Sequence, residues 1–199
     1  MHPRPNHPKR VTGVILAGGK SSRFGQDKGL YPYQGQALVI HALETFKPLC
    51  NEIFISTNKP EEYAFTGFEA ITDLVKDCGP LGGIFSGLHH ASHNKILFLG
   101  CDMPLVPGEL MNLLLKKLDD HDAAVPQHHG FRETLCIAMN RSALPVVQKA
   151  IEGKRFRILN VLQDLNTCFP EVSQLPFYSP PIFTNINYPK DIENLSFGK

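Results

Sequence analysis

Val11-Thr12-Gly13-Val14-Ile15-Leu16-Ala17-Gly18-Gly19-Lys20-Ser21-Ser22-Arg23-Phe24-Gly25-Gln26-Asp27-Lys28 is the stretch from which the fold is read. The apolar run Val14-Ile15-Leu16-Ala17 suits a strand covered on both faces, and such strands belong to parallel sheets. Gly18 and Gly19 then let the backbone turn sharply and come close to a ligand, with no Cβ between their amides and a phosphate or base. Arg23 adds a planar fork and Lys28 a mobile point charge, two complementary ways of holding a polyphosphate. Solvated loop charges are the plain alternative for both. Asp27 reads as structural, pairing with a cation or the loop backbone so that Lys28 is held in place. Gly19-Lys20-Ser21 also matches the tripeptide of a P-loop with Gly13 upstream, but five residues, not four, separate Gly13 from Gly19. Most of those five belong to the strand, so that phosphate cradle is excluded.

Outward from this loop, strand and helix patterns alternate, the sign of βαβ units and a mainly parallel sheet. Strands are predicted over 11–17, 53–55, 68–72, 96–99, 123–125 and 134–139, with a last one around Ile182-Phe183 delivering Asn185 and Asn187. Helices are predicted over 37–46, closed by Pro48, and over 81–91, 107–118, 143–151 and 156–165, with another begun by Pro189. The expected fold class is α/β and Rossmann-like, a mostly parallel central sheet with helices on both faces. Residues 11–199 show no linker, repeat or low-complexity block and read as one domain. Residues 1–10, with three prolines, two histidines, three cationic side chains and no apolar periodicity, read as a disordered N-terminal tail.

In open parallel sheets ligands collect beyond the carboxyl ends of the strands. Gly18, Asp73, Asp102 and Asn185 each follow an apolar segment, so they are expected on one rim. Asp102, after Ile96-Leu97-Phe98-Leu99-Gly100-Cys101, would sit at a partly buried edge where a lone carboxylate is costly without a cation. Mg²⁺ suits it, since that ion takes one or two carboxylates plus substrate phosphates; a helix N-cap before Pro104 and Pro107 is the competing reading. Asp73 either holds a base or ribose or caps the turn before Leu74, and Asn58 either contacts nucleotide or serves the Asn-Lys-Pro turn. Asn185 and Asn187, at alternating spacing, would face the same side and reach metal, water or a second substrate, or else form the turn before Pro189. His89 and His93 lack the Glu and third ligand of a zinc motif, and His128-His129 sits in a polar turn. No Ser-His-Asp or Cys-His nucleophile set stands out.

A formal charge of +1 over 199 residues gives no basic field for nucleic acid or an anionic membrane. A small charged molecule fits better. No apolar run approaches the about 18 residues needed to span a bilayer, and there is no signal-peptide core, so a cytoplasmic protein is expected. Five scattered cysteines, Cys50, Cys78, Cys101, Cys136 and Cys168, read as reduced and mostly buried thiols.

The pattern Leu-Ala-Gly-Gly-x-Ser-x-Arg-x-Gly-x-Asp-Lys resembles the signature loop of the molybdenum cofactor guanylyltransferase family, within the wider nucleotidyltransferase group. The likeness continues through Asp73, Gly79-Pro80-Leu81-Gly82-Gly83-Ile84, Cys101-Asp102-Met103-Pro104 and Asn185-Ile186-Asn187 with Asp191, and so covers nearly the whole chain after residue 10. It implies a nucleotidyltransferase fold that joins GMP from GTP to the terminal phosphate of molybdopterin with loss of pyrophosphate. By this resemblance Arg23, Lys28 and Asp102 are catalytic, and Asp102 holds Mg²⁺. Leu16, Ala17, Gly18, Gly19, Lys28, Asn58 and Asp73 would bind the nucleotide, together with Gly79, Pro80, Leu81, Gly83, Asp102, Asn185 and Asn187. Cytidylyltransferases of the group commonly have Leu-Ala-Ala-Gly here, and the methyl missing at Gly18 leaves room for a purine.

GTP and molybdopterin are then the partners, with molybdoenzyme-specific chaperones beside them. Phe24, Tyr188 and Thr134 depart from the family's usual Met, Thr and Pro, the last two on the pterin side. The Arg132 region and Lys154-Arg155-Phe156-Arg157 are cationic candidates for the acidic pterin, a solvated helix start being the alternative. Two other readings stay open: a cytidylyl- or sugar-phosphate nucleotidyltransferase, and a GTP-binding cofactor-delivery protein without turnover.

Overall fold

In the computed structural model the described residues are 10–18, 27–188 and 190–191. The first ten-residue segment, but for Arg10, and the loop positions Gly19 and Arg23 lie outside them, as do Phe24 and Pro189. Eleven strands follow in chain order: β1 (Val11–Leu16), β2 (Pro32–Tyr33), β3 (Gln36–Ala37), β4 (Glu52–Ser56), β5 (Glu69–Ile71), β6 (Lys95–Gly100), β7 (Ala123–Ala124), β8 (Gln127–His128), β9 (Phe131–Arg132), β10 (Cys136–Asn140) and β11 (Thr167–Cys168). The α-helices are α1 (Leu38–Phe46), α2 (Pro80–His90), α3 (Gly108–Lys117), α4 (Leu144–Glu152) and α5 (Ile158–Gln163).

Seven strands form the central sheet in the order β11-β7-β10-β6-β1-β4-β5. β1 lies between β4 and β6, parallel to both, and only β10 runs against its neighbours. The alternation of side chains along β1 explains the two layers around it. Val11 and Ile15 face a core shared with α1 and α3, whereas Val14 and Leu16 face one shared with α2, α4 and α5. The helices thus cover both faces, as the sequence pattern predicts. Residues 32–37 and 127–132 form two small hairpins.

Local chemistry sets the helix ends nearest the site. Gly79 takes a left-handed φ of 59° that a side chain would oppose, and Pro80 opens α2 where a missing N–H costs nothing. Within α2, Gly83 and Gly87 allow close packing on the sheet. A Cβ on Gly83 would lie 2.7 Å from Ser56 Oγ, and one on Gly87 2.8 Å from a Phe98 ring carbon. α3 carries Glu109 in its first turn and Lys116 and Lys117 in its last, matching the helix dipole.

The expected strand at Ile182-Phe183 is corrected. Pro180–Phe183 is a 3-10 turn with two prolines at its start, which cannot donate ladder hydrogen bonds. Strand β10 begins at Cys136, not Thr134, because the Cys136 N–H closes a turn on the Glu133 carbonyl. No disulfide links the cysteines of the described residues: Cys78, Cys101 and Cys136 are buried, and Cys50 and Cys168 half-buried.

Candidate active site at the carboxyl edge of the sheet

Beyond the last residues of β1, β4 and β5 opens a cavity of about 610 Å³, within the range of small-molecule sites. Leu16, Gly18, Ser56, Asn58, Asp73, Asp77, Gly79, Pro80 and Gly83 line it. Seven of these are sequence candidates brought together from four segments; Ser56 and Asp77 are new. The Asp73 carboxylate accepts a hydrogen bond from the Ser56 hydroxyl at 3.2 Å. Burial holds its carboxyl above the ordinary carboxylate range, and the Ser56 bond offsets this only in part. Asp73 does not cap the following turn, since the Leu74 N–H donates to Ser86 Oγ.

A second cluster stands where β6 ends. The Lys28 ammonium donates to Asp102 Oδ2 at 2.7 Å and to Asn187 Oδ1 at 2.9 Å, joining residues 74 and 159 positions apart in the chain. Both members of the ion pair are largely shielded, their side chains 16% and 14% exposed, so removing either leaves a poorly solvated charge. The Cys101 N–H bonds the Leu16 carbonyl at 3.1 Å, which ties Asp102 directly to the wall of the cavity. Asp102 is not a helix cap: α3 starts six residues later, behind Pro107.

Each partner of this cluster is supported from beneath. Asp27 accepts from its own Gly29 N–H at 3.0 Å, capping the turn Lys28–Leu30, and from the Tyr63 hydroxyl at 2.6 Å. Tyr63 is fully buried, and that burial pushes its phenol far above its usual pKa, so it stays a donor. Ile186 is buried against Leu38 and Tyr33, and its N–H bonds the Asp102 carbonyl at 2.9 Å. Asp191 accepts from the Asn187 and Tyr188 N–H groups at 2.7 and 2.8 Å, fixing the turn that presents Asn187.

The side chains of three candidates make other contacts. The side chains of Ala17 and Leu81 are packed in the two cores. Asn185 donates to the nearby Phe183 carbonyl, and because the segment is not a strand, the alternating spacing expected to turn it to the same side as Asn187 does not apply. A larger cavity, about 750 Å³, opens at the opposite, amino end of β1 and β6 among Arg10, His93, Lys95 and α3, and holds none of the sequence candidates.

The donor set suits Mg²⁺ and no soft metal. Asp102 offers a hard carboxylate and Asn187 a carbonyl oxygen, and among the described residues no group of three or more His, Cys, Asp and Glu forms a protein-only cage.

Residues 13–166 match the family model of the MobA-like NTP transferase domain. The chain belongs to this family. It is accordingly a nucleotidyltransferase, and the resemblance read from its loop motif holds across its length. A probable molybdenum cofactor guanylyltransferase of Carboxydothermus hydrogenoformans is 32% identical, covering 94% of this chain and 95% of that protein. The molybdenum cofactor guanylyltransferase of Aliivibrio salmonicida is 30% identical, with 94% and 95% covered. Among solved structures, molybdopterin-guanine dinucleotide biosynthesis protein A of Archaeoglobus fulgidus superposes with a TM-score of 0.77 at 26% identity, over 92% of this chain and 95% of that one.

In this MobA-like transferase, sequence reasoning missed Ser56, Asp77 and Tyr63. Ser56 had a readable signal, a polar residue ending an apolar strand beside Asn58. Tyr63 had none, since its link to Asp27 arises only when the 3-10 segment Pro60–Thr66 folds beneath the loop.

Proposed function

We propose that this protein transfers GMP from GTP to the terminal phosphate of molybdopterin. The observation that carries the reading is the Lys28–Asp102 pair beside a cavity walled by Gly18 and Asp73, on a chain of this family. An acceptor phosphate oxygen attacks the α-phosphorus of GTP, the bond to the bridging oxygen breaks, and its electron pair leaves with pyrophosphate. A phosphate monoester carries about −1.5 to −2 charges at pH 7, so the nucleophile needs no residue to take a proton from it.

The protein's work is placement and charge neutralisation. Lys28, braced by Asp27 and Tyr63, supplies positive charge where it builds on the α-phosphate and leaving group. Arg23 keeps the role of a second phosphate cation. Asp102 would hold Mg²⁺, which when bound neutralises phosphate charge. The Asp73 carboxylate accepts hydrogen bonds from the ring N–H and amino group of guanine; cytosine offers only an amino donor on that edge. Gly18 leaves the wall flat beside the base. A cytoplasmic location and handover to molybdoenzyme-specific chaperones complete the proposal; among the described residues no helix is long and apolar enough to cross a membrane.

Thermal denaturation with GTP, CTP or UTP, each with Mg²⁺, tests the nucleotide half. GTP at a hundred times its Kd should stabilise the fold by about 2.7 kcal/mol. Protection by CTP alone would refute guanylyl transfer.

A further inference from the structure

The hairpin of β8 and β9 stands on the same rim as Asp102, on the side away from the nucleotide cavity. It is joined to the centre by short links. The Gly100 N–H bonds the Leu135 carbonyl at 2.8 Å, and a Cβ on Gly100 would lie 2.5 Å from Asp102 Oδ1 and 3.4 Å from Leu135 Cβ. Arg132 is three residues before Leu135, a span of at most about 10 Å of chain.

The hairpin is rigidly mounted. His129 and Gly130, with φ of 47° and 83°, make its tight turn. On one face His128 stacks on Phe183 with ring centroids 4.6 Å apart, its Nε2 2.8 Å from Glu133 Oε1 and its Nδ1 3.2 Å from the Tyr178 hydroxyl. On the other face the Arg132 guanidinium lies over the Phe169 ring at 3.9 Å, and its Nε–H donates to Gln127 Oε1 at 3.3 Å. Those two contacts fix the plane of the guanidinium. They leave both terminal amino groups without a protein partner among the described residues. The other cationic candidate Arg155 is, by contrast, paired with Asp164 at 2.7 Å.

Phe169 packs against the core layer that α2, α4 and α5 share, the same side of the sheet on which Gly79, Pro80 and Gly83 wall the nucleotide cavity. The order along the rim is therefore base cavity, Asp102, Leu135, Arg132. An acceptor bound with its phosphate at Asp102 has the Leu135–Arg132 side of the rim to extend along.

We infer that Arg132, held flat by Phe169 and Gln127, is the specificity residue for the acceptor. It would donate its two terminal amino groups to the carbonyl and ring-nitrogen edge of a planar heterocycle, a fork geometry that lysine cannot reproduce. This rests on the function proposed above, with the pterin as that heterocycle. The notional rival, that Arg132 only braces the hairpin, predicts a loss of stability and no change in acceptor affinity.

The test uses the full chain with Arg132→Ala, Arg132→Lys and Phe169→Leu. Molybdopterin binding is followed by pterin fluorescence, and GTP binding by thermal shift. Arg132→Ala should weaken molybdopterin at least tenfold in Kd and KM, with kcat and GTP protection within twofold of the parent. Arg132→Lys should recover less than half of that loss, and Phe169→Leu should give an intermediate one. Unchanged molybdopterin affinity in Arg132→Ala, with GTP still bound, would overturn the assignment while leaving the proposed function standing. A parent protein that binds GTP but no molybdopterin would overturn the proposed function itself, and this inference with it.

Discussion

At Gly18 one hydrogen atom stands where a methyl group would fit the protein without strain, since its nearest neighbours would be Asn58 Nδ2 at 3.8 Å and Ser56 O at 3.9 Å. The space is the cavity's own, so Gly18→Ala separates ligand from fold. We predict an unfolding free energy within about 0.5 kcal/mol of the parent's and GTP affinity reduced about tenfold, with CTP affected less. Asp73 gives a second residue-scale prediction. Guanine needs it ionised, and its raised pKa means that GTP affinity falls with acidification at a pH above the ordinary carboxylate range. Asp73→Asn should remove that pH dependence in a GTP titration. At Asp102, conversion to Asn keeps the shape and removes the charge; turnover should drop by about 10²–10³ while Lys28 retains Asn187 as partner. These residues were legible because each, a glycine or a carboxylate, stands two positions past the end of an apolar strand. Tyr63 and Asp191 were not assigned roles, because each acts through another residue's backbone or side chain and leaves no local pattern.

Among the elements, α2 sits unusually close to the sheet. A Cβ on Gly87 would come within 2.8 Å of Phe98 and 2.9 Å of Val14, both fully buried. Gly87→Ala should cost about 1–3 kcal/mol in chemical denaturation despite the better helix propensity of alanine, because the core must shift to admit the methyl group. Long periodic elements such as α1, α2 and β6 were readable from apolar spacing to within a residue or two. β7 was read at 123–125, but the two-residue strand β11 and the hairpins were not, being held by register with neighbours more than by their own pattern. Ile182-Phe183 misled for the opposite reason. Its apolar pair suggests a strand, yet Pro180 and Pro181 dictate a 3-10 turn, and both side chains are buried all the same.

For the molecule as a whole, the two ends of the sheet respond to pH in opposite senses. At the amino end Glu52 accepts hydrogen bonds from Thr12, from the Ser92 N–H at 3.0 Å and from the Ser92 hydroxyl at 2.8 Å. Burial alone would raise its pKa, but these bonds together with the nearby His93 outweigh it, and the carboxyl is held below its usual value. Its stabilisation is therefore fully present above the unfolded pKa of about 4.3 and is lost as pH falls through the lower folded value. Asp73 has the reverse sign: its ionisation costs stability, which returns as pH falls through its raised pKa. Glu52→Gln should lower stability by about 1–2 kcal/mol at pH 7, with the difference from the parent shrinking below pH 4. In the proposed function the amino end serves the fold and the carboxyl end the chemistry.

That division is tested most directly by following the α-phosphate itself. With GTP labelled at the α-phosphorus, molybdopterin and Mg²⁺, the account predicts label in the pterin product, one pyrophosphate released per label transferred, and neither in Asp102→Asn above about a hundredth of the parent rate. Label transferred from CTP but not GTP, or an undiminished rate in Asp102→Asn, would contradict it.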